Sequence, residues 1–233
     1  MIYLTRKHLY FIASILIVLL FHGTLLINQS FYRTYDAIIH IFFGSHYAQS
    51  WFDPWEPRWY TGFTVFSYPP LGHQLIGALS WILDLRAAFV VVQLAALLIF
   101  VLGLYRFAQL FVSTRAAGYA CILFAVSSSL VETVHVFGQL PTTLSLGLLL
   151  NAQPFVIAYL RFGKRHDLLK ALGLFAVTTT AHHVTTLFGS IFFVMPLILT
   201  YWLQAPLQQR PLEPKDKRKI IYRMLPQIGR AHV

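Results

Sequence analysis

Apolar residues in this chain run in blocks long enough to cross a bilayer as helices, which takes about 20 residues each. The first block, residues 9–28, is apolar on every side, the pattern of a lipid-facing helix. Five more blocks follow, at 87–107, 116–136, 142–160, 168 to about 181, and 185–203. Together they predict an all-α fold: a polytopic transmembrane helix bundle of about six spans, with interfacial helices in the first outer loop. No repeat of fixed period runs through it.

Residues 35–72 break the pattern. This is the one long stretch where polar and aromatic residues replace the apolar run, and it holds Asp36, Asp53 and Glu56, three of the eight acidic residues. Residues 35–51 read as a helix with Thr34 as N-cap and Asp36 in the first turn, where a carboxylate suits the helix dipole. Ile38, Ile39, Ile41, Phe42 and Phe43 cover one broad side, so the helix is expected to lie along the membrane surface. Pro54 and Pro57 each push the preceding residue out of the helical region, which predicts loop over 53–62. After YPPLG a short helix is expected at 71–83, interfacial or re-entrant.

Composition supports the membrane assignment. Hydrophobic residues make up 57% of the chain and charged residues 11%, against roughly a quarter charged in a soluble domain. The net charge of +10 does not indicate nucleic acid, because the basic residues share no surface. They mark topology instead. With the amino terminus inside and 71–83 not crossing, Arg6, Lys7, Arg106, Arg115, Arg161, Lys164, Arg165 and Lys170 all face the cytoplasm. Arg33, Arg58 and Arg86 are left outside, and a crossing at 71–83 would reverse the later loops. The corollary is that Asp36, Asp53, Glu56, Asp84, Glu132, His135, His182 and His183 gather at the outer face. The single cysteine, Cys121, lies in an apolar run and offers neither a disulfide nor a thiolate metal site. The first block is too long for a signal peptide and lacks a small-residue cleavage site, so it is expected to be retained.

Several groups at that face carry candidate chemistry. Asp36 and His40 are spaced i, i+4, share a helix face and can act as base and orienting partner, or as two ligands of a divalent metal. A surface Asp near a helix start and an interfacial His would show the same spacing. Asp53 and Glu56 offer two further carboxylates, with Glu56 expected in an exposed acidic turn. Trp51, Trp55, Trp59 and Tyr60 fit an interfacial aromatic belt or a stacking surface for a sugar or isoprenoid. Glu132 and His135 stand one helical turn apart near the outer end of a span, where an ionisable group faces a cavity or a partner. GQLPTTL, from Gly138, opens the next helix with Pro141 near its start and amides suited to an anion. His182 and His183 interrupt an apolar run, and on a helix at most one of them points inward. No HExxH zinc motif is present.

The order of these features resembles the GT-C class of integral membrane glycosyltransferases. It is most similar to the family named 6-pyruvoyl-tetrahydropterin synthase-related, membrane domain, although nothing in it resembles a pterin enzyme. The matching residues are Asp36, His40, Asp53, Pro54, Trp55, Arg58, Gly62, Tyr68, Pro69, Pro70 and Leu71, with weaker agreement through Gly138 and the His182–His183 pair. The resemblance implies a GT-C-like transmembrane domain over 1–207, in the plasma membrane of a prokaryote, with its active face outside the cytoplasm. It implies transfer of a sugar from a polyprenyl-phosphate donor, with Asp36 and His40 catalytic and Asp36 a base or metal ligand. Asp53, Trp55, Arg58, Tyr68, His135, His182 and His183 would then bind substrate. Ala37 departs from the pattern, standing where many members have a second acid. An inactive scaffold or lipid-handling protein of the same fold is the alternative, and a transporter a weaker one, since charges are nearly absent from the spans. Residues 208–227 read as a basic cytoplasmic linker that contacts anionic lipid. Residues 228–233, IGRAHV, match one reading frame of a common sequencing adapter, so the natural protein is expected to continue beyond about Gln227.

Overall fold

The computed structural model describes residues 2–204; the expected basic linker at 208–227 and the adapter-like end at 228–233 lie outside the described residues. Within them the chain is helical apart from one two-stranded ribbon. The helices are α1 (Ile2–Ile17), α2 (Gly23–Ile27), α3 (Ala37–Gln49), α4 (Leu71–Leu79), α5 (Leu85–Ala108), α6 (Thr114–Ala125), α7 (Ser128–His135), α8 (Leu140–Phe162), α9 (Arg165–Ala181), α10 (His183–Gly189) and α11 (Met195–Gln204). A π-helical turn, Val18–His22, joins α1 to α2, and another, Ser190–Val194, joins α10 to α11.

Among the described residues, four helical stretches are long and apolar enough to cross a membrane: His8–Ile27, Leu85–Ala108, Leu140–Phe162 and His183–Leu203. The block expected as one span at 116–136 is two helices, α6 and α7, bent by 49° at a break before Ser128. Ser127 causes the break locally, since its side chain accepts from the amide of Leu130 and starts a new helix. Counted as one span, that pair brings the total to five. The remaining block, α9, has 17 residues. The helix expected at 71–83 ends at Leu79, and its 9 residues are too short to cross.

The centre of the bundle is the contact between α5 and α8. Phe100 meets Gly147 and Arg106 meets Asn151, so the two helices run parallel. Their backbones approach so closely that a Cβ on Gly147 would lie 2.7 Å from the Phe100 nitrogen, and one on Gly103 2.5 Å from the Gly147 carbonyl oxygen. Asn151 bonds across this contact: Nδ2 donates to the carbonyls of Ile99 (3.0 Å) and Gly147 (2.8 Å), and Oδ1 accepts from Arg106 (2.8 Å). Small residues and polar cross-links are what hold helices together where lipid removes the hydrophobic drive between them. On one side α1 packs parallel to α6, and on the other α9 returns antiparallel along α8.

Parallel α5 and α8 put Leu85 and Leu140 at one end of the bundle. The same end carries the segment 30–84, the end of α7 and the α9–α10 junction. Asp36, Asp53, Glu56, Asp84 and Glu132 therefore share it, and Arg106, Arg115, Arg161, Lys164, Arg165 and Lys170 lie at the other. Segment 30–84 folds over its end: α3 packs on α4 and α4 on α5, around buried Phe31, Ala37, Ile76, Phe89 and Leu140.

We expect Gly147→Leu to lower the thermal unfolding midpoint of the detergent-purified protein strongly, the helices having to separate by a side-chain width. Gly173→Leu, on α9 with open space around its α-carbon, should leave the midpoint within error.

Candidate functional site

The site begins with the turn between α7 and α8. Gly138 takes φ +71° there and lies directly against the start of α3, where a Cβ would come within 2.5 Å of Thr34 Oγ1 and 2.7 Å of the Ala37 nitrogen. That close approach lets the amides of Tyr35 and Asp36 donate to the carbonyls of Val136 (3.1 Å) and Phe137 (3.0 Å). Asp36, not Thr34, occupies the N-cap position of α3, two residues later than the sequence suggested, and Thr34 Oγ1 accepts from the Ala37 amide at 3.2 Å. The Asp36 side chain is free of the capping role. Its Oδ2 accepts from Gln139 Nε2 at 3.0 Å, and Gln139 Oε1 accepts from the Thr142 hydroxyl at 2.8 Å. The start of α3 is thus held at its backbone by the turn that follows α7 and at the Asp36 carboxylate by the N-cap residue of α8.

His40, one turn further along α3, does not bond Asp36. Its Nδ1 lies 3.1 Å from Nε2 of His73 on α4, with the Tyr68 ring against both imidazoles. Both histidines are fully buried. Burial holds His40 well below its ordinary pKa, with His73 and then His182 adding to the effect, and burial brings His73 down to about 4. The pair is therefore neutral at pH 7, and Nε2 of His40 has no partner among the described residues. His182 approaches from the opposite side of the site. The chain is extended there (φ −166°, ψ 104°), which separates α9 from α10, and Nδ1 bonds the Thr185 hydroxyl at 2.8 Å. This break, not helical spacing, is what leaves His182 half-buried and His183 exposed.

A groove of about 320 Å³ opens beside these groups. Thr142, His182 and Thr185 lie at its polar end, and Leu146, Phe188 and Phe192 are among its apolar walls. Asp36, through Gln139 and Thr142, is hydrogen-bonded to the rim of that groove.

The other expected site residues go elsewhere. Segment 53–64 is not plain loop: Trp55–Glu56 pairs antiparallel with Phe63–Thr64. Nor is Glu56 in an exposed acidic turn, for it is fully buried. Its carboxylate accepts from the Arg58 amide (2.8 Å), Arg58 Nε (2.8 Å), Arg58 Nη2 (2.6 Å) and His46 Nδ1 (3.0 Å). The Arg58 hydrogen bonds hold Glu56 at about 2, below the usual carboxylate range. His46 Nε2 meets the Asp53 carbonyl at 2.7 Å. Both partners of His46 are acceptors, so it donates to both only with a proton on each ring nitrogen. Asp53 itself accepts from the Trp55 amide at 2.9 Å, and exposed Trp55 covers Gly62. Arg58 is thus engaged with Glu56 and stacked on Phe42, and this ribbon is a closed unit beside the Asp36 group.

His135 also turns away from Asp36. His22 Nε2 faces the Ala125 carbonyl at 2.8 Å and must donate to it, so His22 Nδ1 accepts from His135 Nε2 at 2.9 Å. His135 Nδ1 then accepts from the Ser30 hydroxyl at 3.1 Å. These bonds pin the bent α7 onto the first span. Glu132 is exposed.

His73, Gln139 and Thr142 complete the Asp36 group, and only the GQLPTTL motif pointed near two of them. His73 directly follows YPPLG, but no spacing in the sequence links it to His40, 33 residues earlier. For a divalent metal, Asp36 and His40 would need company, and among the described residues no group of three or more His, Cys, Asp or Glu side chains is placed to hold one. No protein-family model, curated protein or solved structure matches the chain.

Acid should destabilise the folded protein in two stages. Buried His40 and His73 favour the neutral form, so their contribution is complete above 6.5 and falls as pH drops towards the lowered His73 value of about 4. The Glu56 contribution is complete above 4.5 and falls as pH drops towards about 2. Unfolding midpoints measured against pH should show both, and Glu56→Gln should flatten only the lower stage. At neutral pH that substitution should cost about 2 kcal/mol, the loss for a buried pair discounted for the exposure of Arg58.

Proposed function

We propose that this chain is an integral membrane glycosyltransferase of the GT-C type, related to the 6-pyruvoyl-tetrahydropterin synthase-related membrane domain family. It moves a sugar from a polyprenyl-phosphate donor to an acceptor hydroxyl at the non-cytoplasmic face of a prokaryotic plasma membrane. Its six spans are α1–α2, α5, the bent α6–α7 pair, α8, α9 and α10–α11, and segment 30–84 covers their outer ends.

One observation carries the proposal. The Asp36 carboxylate stands at the end of a hydrogen-bonded chain, Asp36–Gln139–Thr142, whose last member lines an apolar groove between α8 and α10. An isoprenoid chain suits the walls of that groove, and a phosphosugar at its polar end would then lie beside the carboxylate. Gln139 occupies Oδ2 of Asp36 and leaves Oδ1 for the acceptor hydroxyl, whose proton Asp36 takes as the sugar is transferred. The departing lipid phosphate gathers negative charge as the bond breaks, and His182 is the side chain at the groove that can donate to it, the Thr142 hydroxyl already donating to Gln139 Oε1. The amide of Thr143 already donates to the Gln139 carbonyl at 3.1 Å, so it is not available. Neutral His40 and His73 are fully buried and are not part of the groove wall. His135, held by His22 and Ser30, has no part in this scheme.

Membranes containing the full-length protein should transfer labelled sugar from a polyprenyl-phosphate sugar to an endogenous acceptor. Asp36→Asn should reduce the rate about a hundredfold or more, the scale of a lost general base. Gln139→Leu, which frees the carboxylate without removing it, should reduce it less. Transfer undiminished in Asp36→Asn would remove Asp36 from catalysis, and no transfer by the wild type would favour the scaffold.

A further inference from the structure

A second groove, sharing no residue with the first, lies between the end of the first span and the start of α5. It encloses about 600 Å³, and its walls include Leu26, Phe31, Val90 and Leu94. Asp84 and Arg86 stand at its mouth, both exposed and not paired with each other among the described residues. Their bonding leaves specific atoms open. Asp84 Oδ1 accepts from the amides of Arg86 (3.0 Å) and Ala87 (3.1 Å) and so caps α5, while Oδ2 has no partner among the described residues. The Arg86 guanidinium lies 5.3 Å over the Tyr32 ring and has no carboxylate partner among the described residues.

We propose that this groove holds a phospholipid with a primary-amine headgroup, of the phosphatidylethanolamine class. The proposal rests on the chain spanning a membrane and is independent of sugar transfer. Two of the four candidate spans form the groove, so in a bilayer its apolar walls meet acyl chains. The mouth then selects the headgroup. Arg86 presents a fork of donors that matches a phosphate. Asp84 Oδ2, two residues away, presents an acceptor that matches an ammonium N–H. A purely anionic headgroup would set its charge against Asp84, and a quaternary amine has no N–H to donate to it. Only a headgroup with both a phosphate and a protonated primary amine satisfies the two side chains together.

Native mass spectrometry of the full chain tests this. The detergent-purified protein is offered equal amounts of phosphatidylethanolamine, phosphatidylglycerol and phosphatidylcholine with identical acyl chains. The wild type should retain the first over the others by about tenfold, the factor that one charge-assisted hydrogen bond supplies. Asp84→Asn keeps a capping side chain and removes the charge, so it should bring phosphatidylethanolamine down to the level of the other two. Arg86→Gln should weaken retention of all three, and Val91→Trp, which fills the groove, should release all three without changing the gel-filtration profile. Equal retention of the three lipids by the wild type, or a preference that survives Asp84→Asn, would overturn the proposal. So would retention that Val91→Trp leaves unchanged, or displacement of phosphatidylethanolamine by equimolar polyprenyl phosphate.

Discussion

The close contact between α5 and α8 is the constraint on which the rest depends. Gly103, Gly147 and Asn151 let two apolar helices meet backbone to backbone and bond across the join, which fixes both their register and their parallel direction. Register decides where the helices begin. Because Leu85 and Leu140 start at the same end, the turn before α8 reaches the start of α3, and Gln139 can bond Asp36. Sliding α8 by one turn, about 5 Å, would separate those two residues while leaving every apolar contact replaceable.

Polar side chains in this protein are organised by what they can bond to where water is scarce. Each buried cluster solves that problem differently. Glu56, His46 and Arg58 form a closed ionic unit that ties the Trp55–Thr64 ribbon to α3. His22, His135 and Ser30 form a directed chain ending on the carbonyl of Ala125, the point where α6 gives way to the bend. Both sets are satisfied internally, which is the behaviour of groups that hold structure. The Asp36 group differs, since Nε2 of His40 is buried without a partner, and Thr142 and His182 open on a groove. Tyr47, Gln93 and Gln153 also carry buried polar atoms without a partner among the described residues, but none of the three lines either groove.

The two grooves lie in different parts of the bundle and share no residue. One leads from the Asp36 group along α10, and the other sits between α2 and α5 beneath Asp84 and Arg86. Their polar ends differ in kind, with neutral imidazole and hydroxyl groups at the first and opposite charges at the second. A substrate that must leave after reaction suits the first, and a lipid that stays suits the second.

Sequence alone determined the helical class, the long apolar stretches and the segregation of acids from bases, because these follow from local periodicity and from which residues tolerate lipid. It also located the segment 35–72 and, through Asp36, His40, Tyr68 and His182, four members of the central group. It could not show that Asp53, Trp55 and Arg58 close on themselves, or that His135 faces His22, because those choices depend on which acceptor lies nearest in space. Nor could it find His73 or Gln139, whose partners stand 33 and 103 residues away. The bend between α6 and α7 and the break at His182 are of another kind, since each is marked by a bond three residues long, Ser127 to the Leu130 amide and His182 to Thr185, inside an apolar run that continues across it. The run predicts one span, and the direction each second helix takes is decided only by the packed bundle.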